Sequence, residues 1–175
     1  MIVLFGLISH AAVAQTPTIH DVRNLYVQSA EDRMLIDSAE VVLANLAHPG
    51  QEMAVAYGAA LTIMRAKHAR WPFSKMKHLR RGLPVLDDLV AEHPAHAEIR
   101  YLRLISCYYL PGFLGRKWST EEDMKYLAAE LPTIRSTVEP SIYAIMAEFI
   151  LDNTQLSKDE RADIVASMPV RIQNQ

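Results

Sequence analysis

Seven cations fall within seventeen residues that contain no acid: Arg65, Lys67, Arg70, Lys75, Lys77, Arg80 and Arg81. His68 and His78 lie among them, and Trp71 and Phe73 stand at the turn in the middle. Brought onto one side of a helical hairpin, these side chains would present positive charge beside two aromatic rings. That combination suits an anionic surface, such as acidic lipid head groups, an acidic glycan or an acidic partner, with the rings inserting at the interface. The plainer reading is a solvated helix surface whose charge is offset by Asp87, Asp88, Glu92, Glu121, Glu122 and Asp123 on neighbouring helices.

Arg100 and Arg103 are one turn apart in an apolar segment and so share a helix face. Such a pair can clamp a carboxylate or a phosphate. It can also pair within the chain, with Glu98 or with the Glu121-Glu122-Asp123 cluster, and a buried arginine needs such a partner because an isolated buried charge is very costly. The loop from Pro111 to Trp118 joins two glycines, Gly112 and Gly115, to the aromatics Phe113 and Trp118 and the cations Arg116 and Lys117. A phosphate-cradling loop would need a preceding strand and a Gly-Lys-Ser/Thr pattern, and neither is present. The loop reads as a hinge with Phe113 and Trp118 packed under it, or as a ligand-facing loop.

Other reactive types are sparse. His93 and His96 straddle Pro94 and supply at most two ligands where zinc needs three or four, so no metal or other cofactor is expected. Cys107 is the only cysteine, which rules out an intramolecular disulfide, and its apolar surroundings mark a buried, inert thiol. The sequence contains no G-x-S-x-G, no H-E-x-x-H and no Cys–His nucleophile pair, and Asp87 and Asp88 point to different faces of a helix. No catalytic residue is assigned.

The elements that must position these side chains read as helices. Ala, Leu, Met, Glu and Arg fill the segment interiors, glycine is scarce at six residues, and no alternating stretch is long enough for a sheet. Seven to eight helices are expected. They run over 19–28, from Ser29 to 47, over 51–69, from a Ser74 cap to 92, over 95–110, from a Ser119–Glu122 capping box to Pro132, from Pro140 to 152, and from a Ser157–Glu160 capping box onward. His48-Pro49-Gly50 should break the chain, and Gly82 and Pro84 should bend or split the fourth helix. The fifth is apolar on more than one side, so it should be central.

The length of 175 residues fits one domain, and an apolar half is enough for a substantial core. A net charge of −2 argues against a nucleic-acid binder and against disorder. Residues 1–14 read as a signal peptide: an apolar run from Ile2 to Ile8, then small residues at Ala12 and Ala14 that fit cleavage after Ala14. Residues 15–169 form the helical domain and 170–175 a frayed tail. The expected location is periplasmic or secreted.

A spacing recurs. Ser29, Ser74 and Ser119 are 45 residues apart, the prolines Pro49, Pro94 and Pro140 are 45 and 46 apart, and Met34, Leu79 and Met124 keep the same phase. Such a period marks stacked antiparallel helix hairpins, each covering the apolar face of the next. The segment from Leu86 to Pro94, followed by Ala97 to Leu102, resembles the junction between tetratricopeptide-type repeats, although the unit is longer than their usual ~34 residues. Pro72-Phe73-Ser74-Lys75, the segment Glu98 to Arg103, Phe113-Leu114-Gly115 and Glu121-Glu122-Asp123 are similar to a family of small exported helical proteins of uncharacterised function met in Bacteroidota. The resemblance covers about residues 50–130. It implies a helical fold and export, and it implies no activity.

Taken together, the residues describe a non-catalytic extracytoplasmic binding or adaptor protein. Its partner would be a protein or peptide, with an anionic membrane surface as the other kind of target and no nucleic acid. The contact residues would be Arg70, Trp71, Phe73, Lys75, Lys77, Arg80 and Arg81, with Arg100, Arg103, Phe113, Arg116 and Trp118. The competing reading is a carrier or small enzyme for an apolar molecule held between helices, lined by methionines and by Tyr57, Tyr101, Tyr108 and Phe149.

Overall fold

In the computed structural model, which describes residues 16–46 and 50–169, eight α-helices follow one another and no strand occurs among the described residues. They are α1 (Ile19–Gln28), α2 (Met34–Ala44), α3 (Gln51–His68), α4 (Pro72–Glu92), α5 (Ala97–Tyr108), α6 (Lys117–Ile134), α7 (Pro140–Asn153) and α8 (Lys158–Ser167), with a 3-10 turn at Gly112–Leu114. The expected signal peptide over 1–14, the tail over 170–175 and the residues His48 and Pro49 of the expected break lie outside the described residues.

The chain builds two apolar cores that share one helix. The first is made by α1 to α5 around Val22, Ile36, Tyr57, Leu61, Leu86, Ile99 and Leu102. The second is made by α5 to α8 around Leu104, Leu127, Leu131, Tyr143, Met146 and Ile150. Helix α5 supplies Ile99, Leu102 and Cys107 to one and Ala97, Tyr101 and Leu104 to the other, and all eight residues from Ala97 to Leu104 are buried. Its two-sided apolar pattern therefore places it centrally, as expected. Each large aliphatic side chain withdrawn fully from water contributes roughly 1.5–3 kcal/mol. Cys107 is a free, buried thiol in the first core.

Helices α3 and α4 approach closely. Small residues Ala56, Ala59, Ala60 and Ala66 line the buried side of α3, and Gly82 faces them. A Cβ on Gly82 would lie 2.5 Å from Cγ1 of Ile63 and 2.7 Å from the carbonyl oxygen of Ala59. Gly82 therefore lets two backbones approach and does not break the helix. Pro84 likewise fails to split α4, which runs unbroken to Glu92 with Pro84 on its exposed side.

Several expected caps are displaced. Ser29 closes α1 instead of opening α2, and its hydroxyl donates to the Tyr26 carbonyl at 2.6 Å. Ser74 and Ser119 are each the third residue of their helices, after Trp71 and Arg116 at the N-caps. Glu122 does not close a capping box, because its carboxylate faces Arg103. The Ser157–Glu160 capping box on α8 is present.

Buried polar side chains tie the helices together. Glu98 on α5 takes a two-pronged contact from Arg23 on α1, at 2.7 and 2.6 Å, and a 2.7 Å bond from the Tyr57 hydroxyl on α3. Burial first, and the adjacent carboxylate second, hold the Tyr57 phenol well above its ordinary range.

Candidate functional site

The basic run divides where α3 ends. Arg65 reaches back to α2, where it meets Asp37 at 2.6 Å and Glu40 at 2.8 Å, and Lys67 lies 3.6 Å from Glu31. The His68 Nε2 atom contacts the Ser29 carbonyl at 2.7 Å. Those groups fasten the first three helices.

Beyond the turn the situation reverses. Arg70, Lys75, Lys77, Arg80 and Arg81 are exposed, and among the described residues none of them meets a carboxylate. Phe73 is 91% exposed and Trp71 75%. Pro72 starts α4, which fits its missing N–H and fixed φ, and so throws both rings outward at the helix entrance. Phe73, Met76, Lys77, Arg80 and Arg81 line a shallow hollow along the helix. Spacings of three and four residues put Phe73, Lys77, Arg80 and Arg81 on one face. His78 flanks them, and its imidazole is held below the ordinary range, first by partial burial and then by Arg65, Lys77 and Arg81.

The remaining candidate residues gather elsewhere, where α4, α5 and α6 meet. Asp123 on α6 is fully buried between Arg100 and Arg103 of α5, which reach it at 2.8 and 2.7 Å. Arg103 also holds Glu122 at 2.6 Å, and Arg100 donates to the Pro94 carbonyl at 2.6 Å. Arg116 donates to Asp87 on α4 at 2.6 Å. Tyr126 stacks under Arg100 at 4.3 Å, and Trp118 lies 5.6 Å from Arg103 and 5.7 Å from Arg116. Burial pushes the Asp123 carboxyl up from the ordinary carboxylate range, and the two guanidinium groups pull against it. The carboxylate that the arginine pair clamps is thus the chain's own.

This junction also decides the fate of the basic face. Asp87, Glu122 and Asp123, three of the acids expected to offset it, are taken by Arg100, Arg103 and Arg116, and Glu121 faces Lys117 at 3.5 Å. The loop 111–118 leaves Phe113 84% exposed and joins α4 at its C-terminal half, through Asp87, away from the basic half. The expected contact residues therefore form two groups at opposite halves of one helix.

Histidines and aromatics proposed for other chemistry have structural neighbours. His93 closes α4, and His96 opens α5 by accepting from the Ile99 N–H. Among the described residues no group of three His, Cys, Asp or Glu side chains could hold a metal ion. Tyr101 and Tyr108 each meet Phe149 edge-on, at 6.0 and 5.1 Å between ring centres, and Tyr57 meets Tyr26 at 5.6 Å. Asp123 and Glu122 were legible as partners for the arginine pair. The Arg23–Glu98–Tyr57 contact was not, since separations of 75 and 41 residues leave no local signal. No family model, curated protein or solved structure matches the chain.

Proposed function

We propose that this chain is a non-catalytic binding protein that engages an acidic segment of a protein or peptide partner through the N-terminal half of α4. One observation carries the reading: Lys77, Arg80 and Arg81 lie beside the exposed Phe73 along one hollow with no carboxylate of the described chain facing them, while Asp87, Glu122 and Asp123, three of the acids that could have neutralised them, are held by other arginines. The arrangement has a cost for the free helix. Lys75 sits in the first turn of α4, where the helix dipole disfavours a cation, and Lys77 and Arg81 repel across one turn. A solvated face has no need of such an arrangement, and an anionic partner relieves it.

In this reading the helices are antiparallel pairs stacked in series. The matching positions of Ser74 in α4 and Ser119 in α6 support it, as does α5 serving both cores. The protein works outside the cytoplasm after cleavage behind Ala14, a reading supported by the small residues at Ala12 and Ala14. No helix of the described residues is long and apolar enough to cross a membrane.

A fluorescein-labelled polyglutamate peptide, titrated at low salt with anisotropy readout, tests the site. Binding is expected, and reversing Lys77, Arg80 and Arg81 together should weaken it by about tenfold or more. Equal affinity of wild type and variant removes this face from consideration. Binding only to vesicles rich in anionic phosphatidylglycerol overturns the peptide assignment and moves the partner to lipid. An intact mass beginning at Gln15 for protein taken from its native envelope checks the export reading.

A further inference from the structure

The exposed stripe of α4 carries charge in two blocks. Lys77, Arg80 and Arg81 form a basic block in the N-terminal half, Pro84 follows, and Asp88 and Glu92 form an acidic block in the C-terminal half. All six are exposed, and at 3.6 residues per turn all lie on one side of the helix. Within each block the neighbours repel: Lys77 with Arg80 and Arg81, Asp88 with Glu92. The nearest opposite charges along this stripe, Arg81 and Asp88, are seven residues and about 10 Å apart, beyond pairing distance. Among the described residues neither Asp88 nor Glu92 meets a cation. Glu92 also ends the helix where the dipole disfavours an acid. Among the described residues the helix thus bears unpaired cations and unpaired acids in an order that its own stripe does not satisfy.

A two-fold axis satisfies it. We propose that a second copy of this chain docks on α4, with the two helices antiparallel and crossing near Pro84. Arg81 of each copy then faces Asp88 of the other, and Lys77 faces Glu92. The contact is isologous, so each pair occurs twice. The compact Pro84 ring at the centre allows close approach. Each exposed Phe73 extends past the ion pairs toward the other copy's turn at Pro94 and Ala95, which is also exposed. This inference rests on the same face as the proposed function but names its own occupant, so copies that pair and an acidic segment compete for Lys77 and Arg81.

A contact along one helix is small, and its dissociation constant falls at about 10 µM to 1 mM. Sedimentation velocity of the full chain across that range, at low and high salt, is the test. The wild type should show a dimer that dissociates as salt rises. K77E/R81E and D88K/E92K should each weaken the dimer by about tenfold or more. An equimolar mixture of the two variants should restore dimers, because the acidic stripe of one then faces the basic stripe of the other. All four positions are exposed, and unchanged circular dichroism would certify the folds. A wild type that stays monomeric at about 1 mM, or a mixture that fails to pair, overturns the proposal. A monomer that still binds polyglutamate leaves the proposed function standing alone. A dimer rescued by the mixture, with no peptide binding, leaves only this inference.

Discussion

Two sets of arginines lie at opposite halves of α4 and meet opposite fates. Arg100, Arg103 and Arg116 are held by Asp123, Glu122 and Asp87, and the first two are almost wholly buried. Arg80 and Arg81 stand in solvent with no carboxylate of the described chain near them. The overall charge of −2 conceals this segregation. Chemically similar side chains act as internal fasteners in one place and as an outward-facing charge in the other, and whether the fold brings an acid within reach decides which.

The comparison breaks most sharply at Asp123. Asp123→Ala would leave Arg100 and Arg103 buried without their carboxylate, and should destabilise the fold by about 3–5 kcal/mol. Urea denaturation measures the loss. A loss within about 0.5 kcal/mol would mean that the junction is no more demanding than the surface. The close approach behind the basic face ranks next. Gly82→Ala should cost about 1–3 kcal/mol, since Ile63 can turn aside but the Ala59 carbonyl cannot. Adding Ile63→Val should recover only part of that loss, and full recovery would show that the backbones are not in contact.

The basic side of the comparison should respond with the opposite sign. Lys77→Glu removes a like-charge repulsion, creates a favourable pairing with Arg81 across one turn, and should raise monomer stability by about 0.2–0.5 kcal/mol. Thermal unfolding at high dilution, where the chain is monomeric, reads this. A clear loss of stability would show that Lys77 already has a structural duty.

Local signals carried much of the architecture. The helical composition, the two-sided apolar pattern of α5 and the Ser157–Glu160 box all correspond to what forms. Arg100 and Arg103 could be matched to the cluster at 121–123 because one-turn spacing and an acid-rich helix start are both visible in the sequence. Several readings failed for identifiable reasons. Ser29 shares its spacing with Ser74 and Ser119, but a serine can satisfy a carbonyl at a helix end as readily as an amide at a helix start. Gly82 and Pro84 read as a bend or split of the fourth helix, and the split does not form, because the sequence does not show that α3 lies against one and solvent against the other. The separation of the basic run from the loop 111–118 was hidden too, because it depends on which acid Arg116 finds, and that acid lies 29 residues away.

His78 gives the finest probe of the exposed half. Its imidazole is held below the ordinary range first by partial burial, which no surface substitution removes, and then by Arg65, Lys77 and Arg81. Arg65 is already neutralised by Asp37 and Glu40, so Arg81 and Lys77 are the unpaired sources of that field. Arg81→Glu should therefore move the His78 titration upward, and a bound acidic partner should do the same in the wild type. A depressed folded-state value means that the unfolded chain binds the proton more tightly. His78 thus contributes stability above the unfolded imidazole range, near pH 6.5, and that contribution declines as pH falls through that range toward the folded value. The variant should flatten this decline. An NMR titration of the His78 ring protons follows the shift directly. An unmoved midpoint, in both the variant and the peptide complex, would show that burial and Arg65 set it and that Lys77 and Arg81 are screened by water.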